Sequence, residues 1–483
     1  MERENAWKSY TDQDKTELTE LCEGYKSFLS QCKTERLATK RAIELASAAG
    51  YVPLTEAIAE KRALKPGDKI WIDNYGKAIM LVQIGANDIE AGVNILGAHI
   101  DSPRLDLKQN PLYEASDFVL LDTHYYGGIK NYQWVALPLA LKGVVAKKDG
   151  TVVDISLGDD PADPVFCVTD LLPHLGAEQM KKNGREVVEG ESLDVLFGSE
   201  PLIVEDAEET TEAKPAKKEQ TYEEQIASTA QKEAVRAHIM QLLLERYGIE
   251  EEDFLSAEIE VVPAGDARDC GLDRSMVIGY GQDDRVCAYT SLVAQLAVEN
   301  PARTAVCILV DKEEIGSVGA TGMTSAFFEN TMAEILNLMD KQGDLALRRC
   351  LANSSMLSSD VSAAFDPSYA SVFEPKNSAY CGRGLVFNKY TGSGGKSGSN
   401  DANAEYVATL RKIMDDADVK YQTAELGRVN AGGGGTIAYI PAKYGMNVID
   451  SGVAVLSMHS PWEVTSKADI YEAYKGYKAF LSA

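Results

Sequence analysis

At 483 residues the chain is long enough for about two to four domains, or for one fold that carries a large insertion. Its 74 acidic against 48 basic residues give a formal charge of -26, which argues against nucleic acid or an anionic membrane surface as a main partner. The eight cysteines form no CxxC pair and several lie within apolar runs, as expected of buried thiols in a reducing compartment. No stretch is apolar and long enough to span a bilayer, and the start MERENAWKSYTDQDK has no apolar leader segment, so a cytoplasmic location is expected.

Two helices are predicted to open the chain, the first behind Thr11 with Asp14 as its capping-box partner and Leu18, Leu21, Tyr25, Phe28 and Leu29 on one face. Residues 69–84 read as strand, Asn74-Tyr75-Gly76 turn and strand, and a third apolar run, 93–98, delivers His99. Beyond Lys108 the pattern changes to short runs at 117–121, 134–141 and 151–157, separated by Gly, Pro and Asp turns. This predicts a β-rich domain, 108–261, inserted into a discontinuous α/β domain formed by 1–107 and 262–483. Within the insertion, 205–225 is charge-dense and nearly free of aliphatic residues, and is expected to be a mobile loop because it has little apolar surface to offset its ordering entropy. A helical pattern resumes over 225–247.

Five candidate metal ligands each follow an apolar run: His99, Asp283, Glu314, Asp360 and His459. In an open α/β sheet, positions just past the carboxyl ends of strands converge on one crevice. In His99-Ile100-Asp101, period two puts both polar side chains on one side, so Asp101 can take the second imidazole N–H and fix the ring. Asp283-Asp284 stands after a Gly-Tyr-Gly turn at a helix start, where paired acids also serve as ordinary caps. Glu313-Glu314 leaves a fully apolar strand, where adjacent carboxylates are costly without a cation, and two neighbours permit two jobs, one ligating and one moving protons. Three carboxylates with two imidazoles exceed the needs of one tetrahedral ion with an open position but suit two ions that share a bridging carboxylate. Such a pair clamps a hydroxide and polarises a carbonyl, and an N/O ligand set accepts zinc, manganese or cobalt, with zinc the default. The run GSGGKSGS at Gly392 to Ser399 is not a phosphate loop, because the position five before Gly395 is Tyr390.

The segments GAHIDSPRLDLK, GQDDRVCAYTSL, DKEEIGSVGATG, SSDVSAAFDP and SMHSPWE together resemble the aspartyl aminopeptidase and vacuolar aminopeptidase I family of dinuclear metallopeptidases. The resemblance implies a mixed-sheet α/β/α sandwich, with the inserted β-rich domain acting in dimerisation and a dodecamer built from dimers. It implies Asp283 as the bridge, His99 and Asp360 completing one metal, Glu314 and His459 the other, Glu313 as general base and Asp101 as the residue orienting His99. It also implies that His174, in Asp170-Leu171-Leu172-Pro173-His174-Leu175, reaches substrate in a neighbouring subunit, or ligates metal there. The expected activity is removal of N-terminal residues, acidic or apolar, from peptides; Lys376, Lys389 and Lys396 are candidates to receive an acidic side chain. Two rivals from the ligand set are a dinuclear amidohydrolase acting on N-acyl amino acids and a non-enzymatic acidic shell or scaffold.

Overall fold

The computed structural model describes residues 3–204 and 220–483, so most of the charge-dense stretch 205–225 lies outside the described residues. The chain divides into two compact units, one of Met1–Ser102 with Asp266–Ala483 and one of Pro103–Gly265.

The first unit is built on a nine-stranded mixed sheet. At its centre, Asn94–His99 runs parallel to Ala305–Val310 on one side and to Ser355–Ser358 on the other, and Ser355–Ser358 runs parallel to Asn447–Gly452. These strands are buried on both faces, which explains their nearly unbroken apolar text. Alternation along each strand divides the core into two layers. Leu96, Ala98, Cys307, Leu309 and Leu357 pack with Tyr25, Phe28, Leu292 and Tyr477, whereas Ile95, Val306, Ile308, Val310 and Met356 pack with Phe328, Met332 and Ile335. Helices therefore cover both faces, as in an α/β/α sandwich.

The opening helix, Asp12–Gln31, starts where its capping box predicts: Asp14 N–H donates to the Thr11 hydroxyl and Thr11 N–H to the Asp14 carboxylate. A smaller five-stranded sheet in the same unit contains Met276–Gly279, Glu463–Ser466, Ala454–Leu456 and two outer strands. The apolar run before His459 belongs to this second sheet, so the single-sheet convergence expected from sequence is replaced by two sheets that supply one site.

The second unit carries a seven-stranded antiparallel sheet. The run 134–141 becomes strand only from Leu139, after Pro138, because a 3-10 turn at Asn131–Gln133 and its Trp134 cap precede it. The helical pattern at 225–247 resolves into Tyr222–Ala230 and Ala234–Tyr247.

Candidate metal centre

Register explains how residues so distant in sequence meet. His99 pairs with Val310, and Ser358 pairs with both Gly97 and Asp450, so the parallel strands end at one level. His99 is the last residue of its strand, Glu313 and Glu314 follow Val310 in a single 3-10 turn, and Asp360 lies two residues past Ser358. Gly452 permits the approach of the Asp360 segment, since a Cβ at that position would overlap the Asp360 carbonyl oxygen. From the second sheet, Asp283 follows Met276–Gly279 through Gly281, whose φ of 71° suits glycine, and His459 sits between Ala454–Leu456 and Glu463–Ser466.

The ligand atoms form three overlapping groups, each within 4.8 Å: His99, Asp284 and Asp360; His99, Glu313 and Glu314; and Asp283, Glu314 and His459. All five sequence-predicted ligands are brought together, and Asp284 joins them. The two oxygens of Asp283 point at different imidazoles, with Oδ1 at 3.3 Å from His99 Nε2 and Oδ2 at 3.2 Å from His459 Nε2. Asp284 directs Oδ2 to the backbone N–H of His99, which donates at 3.3 Å, and among the described residues its buried Oδ1 has no hydrogen-bond partner.

Asp101 holds this assembly in more ways than its spacing suggested. Its backbone carbonyl is 3.0 Å from His99 Nδ1, closer than its carboxylate at 3.3 Å. The carboxylate accepts from the backbone N–H groups of Glu313 and Glu314, both at 3.2 Å. One residue thus orients the imidazole and pins the glutamate pair.

Burial, reinforced by Asp283 and Asp101, pushes Glu313 up to about 7. Burial likewise raises Glu314, Asp360 and Asp284 well above the carboxylate range. Asp283 is the exception: burial opposes its ionisation, but His459 and His99 hold it well below the usual range. A buried cluster in which Asp284 Oδ1 and Glu314 Oε1 lack hydrogen-bond partners is expensive on its own and suits divalent cations, which accept carboxylate oxygen and imidazole nitrogen together.

Residues 28–481 match the family described as Aminopeptidase I zinc metalloprotease (M18). The chain belongs to the M18 aminopeptidase family. It is 56% identical to a probable M18 family aminopeptidase 1 of Clostridium acetobutylicum over 481 residues, covering 100% of this chain and 98% of the relative. A crystal structure of an M18 aminopeptidase from Thermotoga maritima superposes with a TM-score of 0.90 at 42% identity, covering 100% of this chain and 99% of the other. The mApe1 dodecamer of S. cerevisiae shares the fold at 18% identity, with a TM-score of 0.73 and coverage of 96% and 97%. The M18 chain described here is accordingly a zinc metalloaminopeptidase.

His174 is exposed, lies in the second unit and belongs to none of the three ligand groups. Lys389 and Lys396 both pair with Asp401, and Lys396 also sits 3.7 Å over the Tyr390 ring, so the glycine-rich run near them is tied internally. Two further residues meet the cluster: Asp284, whose helix-start position is equally that of an ordinary cap, and Glu463, which lies in the SMHSPWE motif and accepts from the backbone N–H groups of Asp283 and His459.

Proposed function

We propose that this M18 aminopeptidase removes N-terminal residues from peptides with two divalent ions per subunit, zinc in both positions. The observation that carries the reading is Asp283, whose oxygens face His99 and His459 at 3.3 and 3.2 Å, as a bridging carboxylate requires. His99 and Asp360, which lie together with Asp284, would hold one ion, and Glu314 and His459, which lie together with Asp283, would hold the other. Asp284 supports the His99 side through its bond to the His99 amide. When bound, the ions supply Lewis acidity toward water and the scissile carbonyl.

Glu313 accepts a proton from the attacking water and returns it to the leaving amine, a role supported by its place beside Glu314 in one 3-10 turn and 3.9 Å from His99 Nε2. Asp101 keeps His99 in one ring orientation and fixes the Glu313-Glu314 turn, so base and ligand keep their spacing. The insertion, Pro103–Gly265, acts in dimerisation, and His174 of one subunit reaches the substrate of its neighbour. Exposed Leu171, Leu172 and Leu175 around His174 support burial of that segment against another copy, and the dodecameric mApe1 supports a dodecamer built from dimers. Among the described residues no helix is long and apolar enough to cross a membrane, which is consistent with a cytoplasmic location.

The deciding experiment is a panel of aminoacyl p-nitroanilides, with free and N-acylated amines, assayed with added zinc, manganese or cobalt. Hydrolysis restricted to free-amine substrates is expected, and the panel also ranks acidic against apolar first residues. Turnover of N-acylated substrates alone would overturn the aminopeptidase mechanism.

A further inference from the structure

Glu463 is 1% exposed and sits at the start of Glu463–Ser466, paired with Gly279 across the smaller sheet. Its backbone is fixed further by Gln282, whose Nε2 donates to the Glu463 carbonyl at 2.6 Å while the Tyr25 hydroxyl donates to Gln282 Oε1 at 3.1 Å. From this anchored position its carboxylate spans two separate segments. Oε2 accepts from the backbone N–H of Asp283 at 3.0 Å, and Oε1 accepts from the backbone N–H of His459 at 2.7 Å.

His459 has a φ of 65° and Ser457 a φ of 57°, left-handed conformations that residues with a Cβ adopt only when their surroundings enforce them. The bond from His459 N–H to Glu463 is one such constraint. The other bond holds the amide of Asp283, the residue whose carboxylate faces both imidazoles. One side chain therefore ties together the backbones of two groups that must stay in register.

We propose that Glu463 is a positioning residue of the metal centre, a carboxylate clamp that sets the separation between the bridging carboxylate of Asp283 and the imidazole of His459. This rests on the reading of those two residues as ligands. The two N–H donors meet different oxygens of Glu463, and a carboxylate offers an acceptor at both positions whereas an amide offers one. In Glu463→Gln the carboxamide has one oxygen, and its NH2 faces an N–H. In Glu463→Asp the charge remains, but the shortened chain reaches only one of the two amides.

The test starts from metal-free wild type, Glu463→Gln, Glu463→Asp and His459→Ala. Zinc is titrated against a chromophoric chelator, the visible absorption of the cobalt-substituted forms is recorded, and the metal-free proteins are melted. Both Glu463 variants are expected to weaken one zinc site about 10- to 100-fold and to alter the cobalt absorption, with melting of the metal-free form within a few degrees of wild type. Wild-type affinity for both ions with an unchanged cobalt spectrum would overturn the clamp. So would failure of both variants to fold without metal, since Glu463 would then serve the fold rather than the centre. His459→Ala separates the two claims: if it too binds both ions normally, the ligand assignment fails; if it loses zinc while the Glu463 variants do not, only the clamp fails.

Discussion

In the first unit, Asp283, Asp284 and Asp360 are buried against His99, and Glu313 and Glu314 stand beside them with little exposure. In the second, Lys148 pairs with Glu252 and Lys182 with Glu189, all in contact with solvent. The surface acids have lysine partners and water, so removing one partner leaves a solvated ion. The buried acids instead face one another across two imidazoles, an arrangement that needs cations. The same residue types are thus solvated ions in one place and, in the function proposed, metal ligands in the other, and burial decides which.

The contrast is most easily broken at Glu313. Glu313→Gln keeps the size of the side chain but removes its basicity, and should lower kcat on an aminoacyl p-nitroanilide by about 10² to 10⁴-fold while zinc content stays at the wild-type value. A comparable kcat would remove Glu313 from proton transfer. Asp101→Asn leaves one acceptor for the two glutamate amides and should reduce kcat/KM about 10- to 100-fold, measured on zinc-loaded protein.

An intermediate case lies away from the metal. Asp269 pairs with Lys26 at 2.6 Å and Lys467 at 2.8 Å, and although burial opposes its ionisation, those lysines hold its carboxyl below the usual range. A depressed carboxyl contributes stability above its unfolded value and loses it as pH falls through the folded one. Asp269→Asn should therefore cost up to about 1 kcal/mol at neutral pH in chemical unfolding, with the difference from wild type shrinking below about pH 4. A constant difference across that range would mean that packing, not charge, is lost. At the weak end, Lys148→Ala should leave the melting temperature unmoved, because Lys148 and Glu252 are 78% and 61% exposed.

Much of this site was legible in the sequence because a strand buried on both faces writes an apolar run, and a polar residue directly after it marks the strand end. His99 follows that rule in the large sheet, and Glu314 follows it at a distance, four residues past Val310 in the 3-10 turn. His459 follows it only in part, since its run is a three-residue strand of the small sheet. Asp284 was not legible, because a carboxylate at a helix start has an ordinary capping role and only the three-dimensional approach to His99 and Asp360 separates the two. Glu463 was illegible for a different reason: it acts on backbone amides, which every residue possesses, so no pattern of side chains announces it. In the second unit the β-rich character was readable from short runs and turns, whereas the late start of Leu139–Ala146 depended on the turn and the proline that precede it.

A zinc pair bridged by Asp283 can be checked by adding zinc stepwise to metal-free protein while following bound zinc and aminopeptidase activity together, in wild type and Asp283→Ala. The expected result is two ions per wild-type chain, full activity only after the second, and loss of tight binding at both positions in the variant. A wild-type chain that is fully active with one ion, or an Asp283→Ala chain that still binds two ions tightly, would contradict it.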